Sequence, residues 1–513
     1  MTAPVTRPGR VLLLASVFAV AACGLAYELV AGTLSSYLLG DAVTQFSLVI
    51  GVFLCAMGAG SWLARFIHDR LVERFVRLEI AIGIVGGASS IILFAASAWA
   101  EPVFPVLFYL LVSVLGALVG VEVPLLVRIV KEGGGVVEAL SDVLALDYLG
   151  ALAGSILFPL FVLPLLGLSR ASVVFGLLNL AVAAAGVRLI EPPRRRAVSI
   201  EVAGAAVLLV GLLAVSPRLV GFLEDELYED RIVFAQSTRY QRVVVTRWRT
   251  DLRLYIDGHL QFSSVDEARY HEALVLPAMT AAGEPRSVLI LGGGDGLAAR
   301  EILKFPSVEH VTLVDLDPEI TAMARTRRDF VALNGGSLSS PKVAVVSSDA
   351  MQYLRDSSDF FDVIIVDLPD PDSEALAKLY STSFYALAAR RLSAHGVLVT
   401  QATSPFYARE AFWCIVRTLE AAVPADLPGT LSVLPYHENV PSFGEWGFVL
   451  ASRAPIDPTR LAPTVATRYL TAPVMQAMFV FGKDLEAPAV KPNRLDDPVV
   501  FRYHRDGWRR FNQ

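Results

Sequence analysis

The sequence predicts two architectures in one chain: a multi-span α-helical membrane domain, then an α/β Rossmann-like domain preceded by a small β-hairpin region. Three observations carry that reading. Long apolar runs fill residues 11–220, whereas the remainder has ordinary globular composition. From residue 286 onward, short apolar strands alternate with amphipathic helices. The first of those strands runs into a glycine-rich turn, "GGGDG" at 292–296. A chain of 513 residues exceeds one ordinary domain. The expected division is a helical membrane domain at 1–222, a β-rich substrate-side subdomain at 223–285, the Rossmann-like domain at 286–452 and a C-terminal extension at 453–513.

Runs of about 18 or more apolar residues read as transmembrane helices. About seven segments qualify, near 11–31, 44–64, 79–99, 103–127, 143–166, 170–190 and 200–217. The start "RPGRVLLLASVFAVAACG" has the basic and apolar regions of a signal peptide, but the apolar run continues past Cys23, so a retained first helix is expected. Arg7 and Arg10 precede the first span, Arg65, Arg70, Arg74 and Arg77 follow the second, Arg128 and Lys131 the fourth, and Arg188 and Arg194 to Arg196 the sixth. These basic loops share one side, with the N-terminus inside and Arg170 as an exception. The expectation is a multi-pass protein of the cell membrane, in contact with the lipid bilayer, with its second half on the cytoplasmic side. Segment 200–217 must then be re-entrant or interfacial; if it crosses, the second half lies on the other side.

Glu28, Glu122 and Asp147 fall inside apolar runs, where ionisable groups are costly and point to a functional interior, a cavity or polar packing between helices. "GALAG" at 150–154 and "GAG" at 58–60 offer small residues for close helix contact. The three cysteines, Cys23, Cys55 and Cys414, lack metal-ligand spacing, and the two inside spans read as small buried thiols. Net charge is −6 and no long basic block exists, so nucleic-acid binding has no support.

Beyond the apolar half, "RVVVTRW" and "LRLYIDG" are rich in β-branched and aromatic residues and are separated by the turn-like Thr250–Asp251, which predicts an antiparallel hairpin. "DEARYHEALVLPAM" has helical spacing. "SVLILGG", "HVTLVDLD", "KVAVVSSDA", "FDVIIVDLPDP" and "GVLVTQA" then read as strands with helices between them. Near-continuous apolar strands of this kind belong to a parallel sheet covered on both faces, whose ligands bind beyond the carboxyl ends of the strands.

Acids occupy those ends: Asp295 after the first strand, Asp315 at the end of the second, Asp349 after the third, and Asp367 and Asp370 after the fourth. One such Asp is often a helix cap. A series at four successive strand ends points instead to a site for a nucleoside and a cation. Asp315, about twenty residues past the glycine turn, has the position of an acid that grips ribose hydroxyls. Asp295 would repel a pyrophosphate, which disfavours a dinucleotide. A sulfonium donor carrying adenosine and no phosphate fits better, and best if its tail ends in an ammonium.

"YQRVVV", "DGHLQ", "DEARYHEAL", "GGGDG", "DLPDP" and "PSFGEWGF" occur in this order. The series, covering most of residues 236–450, resembles the spermidine synthases, the polyamine aminopropyltransferases. The membrane region, with "AYE" in its first helix, is similar to the membrane-bound bacterial branch of that family. The resemblance implies transfer of an aminopropyl group from decarboxylated S-adenosylmethionine, as co-substrate, to putrescine, giving spermidine and methylthioadenosine. It implies donor binding by Gln241, Gly292, Gly294, Asp295, Asp315, Asp349 and Ala350. His271, Asp295, Asp367 and Asp370 would meet the polyamine, and Asp367, with Tyr270 nearby, would position and deprotonate the attacking amine. Soluble members of the family commonly form dimers or tetramers, so a homo-oligomer through the second half is a further expectation. The chemistry needs no metal, because the carbon under attack is already activated by a positively charged sulfur.

Several positions depart from the family's pattern. Leu368 and Pro369 stand between the two aspartates, where Ser, Thr or Cys is usual; Ser373 and Glu374 replace a Gly-Pro pair; Leu276 stands where His is common; and Phe443 replaces a Tyr. These changes lie on the acceptor side, which leaves another diamine or a longer polyamine open. Two other functions stay open at this stage: a polyamine transporter or sensor with a binding-only domain, favoured by the acids in the apolar runs, and an S-adenosylmethionine-dependent methyltransferase on the same type of sheet, disfavoured by Asp295.

Overall fold

The computed structural model describes residues 7–39, 42–99, 103–131, 135–189, 192–228, 230–422 and 430–511. The chain divides into two compact units, Met1–Arg231 and Ile232–Gln513.

The first unit is helical: α1 (Arg7–Leu39), α2 (Ala42–Leu63), α3 (Leu71–Trp99), α4 (Phe104–Val130), α5 (Val136–Leu157), α6 (Leu163–Val187) and α7 (Pro192–Leu227). Among the described residues, six helices are long and apolar enough to cross a membrane, the fifth being Val136–Val187 with 52 residues. A straight helix of that length would run about 78 Å, more than twice the roughly 30 Å hydrocarbon core. Gly167, at φ 69° and ψ 174°, breaks it. The sequence reading of two spans, at 143–166 and 170–190, therefore falls on either side of this break. Both glycines of "GALAG" sit against α1: a Cβ on Gly150 would come within 2.2 Å of the Phe18 carbonyl oxygen, and one on Gly154 within 2.8 Å of that of Ala22. Close backbone approach at small residues is how apolar helices gain packing where no water is left to expel.

Glu122 is buried, while Glu28 and Asp147 are half-buried. A fourth acid, Glu79, is fully buried. Asn179 donates to its Oε2 at 2.8 Å and in turn accepts from the Tyr27 hydroxyl at 3.3 Å. The sequence reading left Glu79 at a rim because it began the third span there, whereas α3 starts two turns earlier. Cys23 is buried as expected, but Cys55 is exposed on α2.

The second unit opens with β1 (Arg231–Ser237), β2 (Arg242–Trp248), β3 (Asp251–Ile256) and β4 (His259–Ser263), a four-stranded sheet in that order. The predicted hairpin is its centre, β2 against β3. Helix α8 (Glu267–Ala282) follows, then β5 (Ser287–Gly292), α9 (Leu297–Ile302), β6 (His310–Asp315), α10 (Pro318–Thr326), α11 (Arg328–Asn334) and β7 (Val343–Ser347). Next come α12 (Ala350–Asp356), β8 (Phe361–Asp367), α13 (Glu374–Ala377), α14 (Thr382–Arg390), β9 (Leu392–Gln401) and α15 (Arg409–Ala421). The chain closes with β10 (Ser432–Val440), β11 (Gly444–Ser452), α16 (Ala472–Ala477) and α17 (Val499–Arg509).

The large sheet has seven strands in the order β10-β11-β9-β8-β5-β6-β7. Strands β5 to β9 pair in parallel, as the apolar runs predict. The sheet as a whole is mixed, because β11 pairs antiparallel with β9 and with β10. A short turn joins β10 to β11, and a turn that short can only reverse the chain. Alternation along each central strand feeds two cores. Val288 and Ile290 of β5 with Val363 and Ile365 of β8 face one, and Leu289 and Leu291 with Ile364 and Val366 face the other. The chain leaves β5 for β6 on one side and returns to β8 on the other. That reversal opens a crevice at the carboxyl ends of β5 and β8.

Candidate active site

Residues Gly292 and Asp367 are register partners at the mouth of this crevice. Gly292 has φ 87°, and a Cβ there would lie 2.0 Å from the Asp367 carbonyl oxygen, so the turn admits only glycine. Its close approach brings the rest of the loop among the acids. A Cβ on Gly294 would lie 2.5 Å from Asp315 Oδ2. Asp295 is half-buried, and its Oδ1 accepts the Leu297 N–H at 2.8 Å.

Asp367 accepts the Tyr270 hydroxyl at 2.8 Å. Burial pushes this carboxyl up to about 6; the His271 charge opposes the rise, Asp295 adds to it, and the Tyr270 hydrogen bond opposes it again. Burial and the neighbouring Asp367 push the Tyr270 phenol up, so it keeps its proton and acts as a donor. Burial raises Asp295 too, against His271 and the Leu297 N–H. Asp315 is pushed by burial to about 6, with the Asp317 N–H opposing and the charges of Asp317 and Asp295 adding. Three carboxyls thus crowd one recess, each less acidic than in water and so a better proton acceptor once ionised.

His271 is buried on α8 and is the internal counter-charge. Its Nδ1 faces the Glu267 carbonyl at 2.8 Å and carboxylate at 3.0 Å. Burial works against an imidazolium, yet Glu267, then Asp295 and Asp367, bring its pKa up to about 9. Glu267 is itself clamped by Arg300, at 3.0 and 2.8 Å, and by Arg468. Burial alone would raise Glu267, but His271 and Arg300 hold it well below the usual carboxylate range.

The remaining candidates lie around this centre. Gln241 donates to Asp317 at 3.1 Å, and Asp317, two residues after Asp315, caps α10. Asp349 caps α12, with Ala350 buried behind it, and pairs with Lys378 at 2.8 Å. Burial would raise Asp349, but Lys378 and the Gln352 N–H outweigh it and lower the pKa. Asp370 accepts from Gln401 at 3.2 Å, Thr403 at 3.0 Å and His504 at 3.0 Å. Phe443 stands edge-on to Tyr270 with ring centroids 5.9 Å apart, presenting carbon where a Tyr would present a hydroxyl. The structure therefore gathers Tyr270, His271, Gly292, Gly294, Asp295, Asp315 and Asp367 into one recess. Asp370 flanks it, and Asp349 with Ala350 stands two strands away at the end of β7.

Residues that the sequence reading passed over anchor this arrangement. Glu272, fully buried one turn along α8, accepts the backbone N–H groups of Arg468 at 2.6 Å, Tyr469 at 3.0 Å and Leu470 at 2.8 Å. This ties the C-terminal extension to the helix that carries Tyr270 and His271. Glu272→Ala takes the acceptor from three backbone N–H groups, of which that of Leu470 is buried, and we expect a loss of about 2 kcal/mol of stability, measured as denaturant or thermal unfolding of the full chain in detergent. The only signal for these residues in the sequence is the acid-rich "DEARYHE".

Comparison with known proteins gives the family. The family described as Spermine/spermidine synthase domain matches residues 267–457. Polyamine aminopropyltransferase 1 of Ralstonia nicotianae is 48% identical over 98% of this chain and 96% of its own length. The polyamine aminopropyltransferase of Leptospira interrogans is 45% identical over 96% and 98%, and that of Oceanobacillus iheyensis 41% over 96% and 96%. A crystal structure of spermidine synthase in complex with the transition-state analogue AdoDATO is 26% identical, with a TM-score of 0.45 over 50% of this chain and 88% of that one. With relatives of such identity matched nearly end to end, this chain belongs to the polyamine aminopropyltransferase family and is a transferase.

Proposed function

We propose that the second unit moves the aminopropyl group of decarboxylated S-adenosylmethionine to putrescine, giving spermidine and methylthioadenosine. The observation that carries this reading is the placing of Asp295 beside Asp367 and its donor Tyr270, where the crevice opens between β5 and β8. Asp315 takes the ribose hydroxyls, and Gly292, Gly294, Gln241, Asp349 and Ala350 hold the rest of the nucleoside. Asp295 takes the ammonium that ends the donor's propyl arm. His271 lines the recess and keeps Asp295 and Asp367 ionised until cationic substrates arrive.

Asp367 accepts a proton from the acceptor ammonium, freeing the nitrogen lone pair. That nitrogen attacks the propyl carbon next to sulfur; a C–N bond forms, the C–S bond breaks, and its electron pair neutralises the sulfonium as methylthioadenosine leaves. A fixed line of attack and a base within hydrogen-bond reach supply most of the acceleration. Asp370 holds the acceptor's second charge.

The acid limb tests the assignment of the base. Asp367 must be ionised to accept the proton, so kcat/KM should rise with pH and level off above about 6, near where burial places Asp367. Asp367→Asn should abolish that limb in whatever activity remains; an unchanged limb would assign it to Asp315, which titrates in the same range. Acceptor identity is tested by a panel of amines at fixed donor. Putrescine is expected to give the highest kcat/KM, and a longer polyamine doing better would move the assignment to that amine.

We place the chain in the cell membrane through its first unit, with the second unit on the cytoplasmic side, where adenosyl metabolites are made, and as a homo-oligomer through the second unit. An even number of crossings is required, so one apolar stretch enters without crossing. Protease digestion of sealed inside-out vesicles should remove the second unit, and protection in those vesicles would reverse the orientation.

A further inference from the structure

Resting on the reading above that Asp370 holds the acceptor's far charge, we propose that His504 of α17 is a positioning residue for the acceptor: it fixes the Asp370 carboxylate for a diamine, so that the C-terminal helix completes the acceptor end of the site. His504 lies 134 residues from Asp370 in the chain, and its Nε2 stands 3.0 Å from Asp370 Oδ2. An ionised carboxylate can only accept, so Nε2 carries the hydrogen. Thr403 donates to the same oxygen at 3.0 Å and Gln401 to Oδ1 at 3.2 Å. The carboxylate is thereby held in one rotamer by three donors from β9, the loop after it, and α17.

Two features set this apart from ordinary core packing. Thr403, a β-branched residue, sits at φ 55°, a backbone conformation that costs free energy and is kept where surrounding contacts demand it. Its own N–H is held by Gln401 Oε1 at 2.9 Å. Gln401 also donates to the Leu368 carbonyl at 2.7 Å, and the Tyr380 hydroxyl to that of Pro369 at 2.8 Å. The unusual Leu368–Pro369 pair is thus pinned through its backbone. Secondly, α17 is already docked without His504. Val500 and Phe501 are buried in the core, Trp508 stacks on Tyr407 at 4.9 Å and 18°, and Gly507 abuts Ala408 so closely that a Cβ would come within 2.8 Å of its Cα. A leucine would serve docking better than an imidazole whose side chain is 10% exposed.

Beyond Asp370, the loop after β8 also presents Asp372, which pairs with His259 at 3.3 Å. This end of the site therefore offers two carboxylates, each steadied by a histidine from outside the large sheet. Such a pair suits an acceptor with a second ammonium and gives nothing to a monoamine.

The test uses the full chain in detergent with saturating decarboxylated S-adenosylmethionine. Variants are His504→Ala, His504→Gln, Asp370→Asn and the Asp370→Asn/His504→Ala double; ligands are putrescine as acceptor and n-butylamine as a competing monoamine. His504→Ala should raise the putrescine KM about tenfold, with kcat, donor KM and n-butylamine inhibition within about twofold of the parent. His504→Gln, which keeps a donor, should recover most of the loss, and serves if the alanine variant fails to fold. The double variant should be no worse than Asp370→Asn. The inference is overturned if His504→Ala leaves the putrescine KM unchanged, or if kcat and melting temperature fall while both KM values rise together, or if the two substitutions are additive. If Asp370→Asn itself leaves the putrescine KM unchanged, the acceptor reading of Asp370 fails, and the role of His504 with it. Failure of His504→Ala alone leaves that reading standing.

Discussion

Replacing Asp367 with Asn is expected to lower kcat by about 10²- to 10⁴-fold, the usual contribution of a positioned general base, while the protein still folds and the donor KM stays close to that of the parent. The substitution is nearly isosteric. Its Oδ1 can still accept the Tyr270 hydroxyl, which lies at 2.8 Å, and the parallel register that pairs residue 367 with Gly292 is a backbone property. What disappears is the proton acceptor. Tyr270 cannot replace it, because burial and the neighbouring carboxylates hold its phenol protonated. Initial rates of methylthioadenosine release, with thermal unfolding measured in parallel, check this. A variant that retains parental kcat would remove Asp367 from the role of base.

Asp295→Asn is expected to raise the donor KM by about 10- to 100-fold, since hydrogen bonds to charged groups contribute about 1.5–3 kcal/mol. An amide oxygen can still accept the Leu297 N–H, bonded at 2.8 Å in the parent, so the loop should keep its shape. The variant should also discriminate less well between decarboxylated and intact S-adenosylmethionine, because the charge that repels the donor's carboxylate is gone. One consequence reaches Asp367. Asp295 is among the charges that raise the Asp367 carboxyl, so its removal should move the acid limb of the pH–rate profile to lower pH. An increase confined to the acceptor KM would show that residue 295 serves the acceptor instead.

Much of this molecule was legible in its sequence because local pattern and tertiary role coincide. Apolar runs of strand length gave β5 to β9, and glycines followed by an acid marked the first turn as one that approaches a ligand closely. Acids at successive strand ends pointed to the same edge of the sheet. Other features depend on contacts between distant segments. Strands β10 and β11 carry Tyr436, His437, Glu438 and Trp446 within an ordinary mixture of residues, and only the pairing of β11 with β9 and of β10 with β11 makes them part of the sheet. Glu272 finds its donors about 200 residues away, and His504 reaches Asp370 across 134. Neither partner carries a local mark of the other. Glu79 was missed for a simpler reason: hydropathy locates the apolar middle of a span better than its polar first turns.

Asp349 illustrates the limit of reading acids by position. It occupies a strand end like the others, yet its charge is neutralised by Lys378 at 2.8 Å and its side chain caps a helix. Asp295 and Asp367 have no such lysine among the described residues and instead feel the buried imidazolium of His271, while Asp315 is surrounded by Asp317 and Asp295. The difference in partners, invisible in the sequence, separates an acid at the rim of the site from the acids at its centre.

The most direct test of the central claim is one reaction of the full chain with decarboxylated S-adenosylmethionine and putrescine, analysed by mass spectrometry for both products. Equimolar methylthioadenosine and spermidine are expected, with both lost together in Asp367→Asn. No methylthioadenosine with any amine, or S-adenosylhomocysteine formed from intact S-adenosylmethionine, would contradict an aminopropyl transfer in this recess.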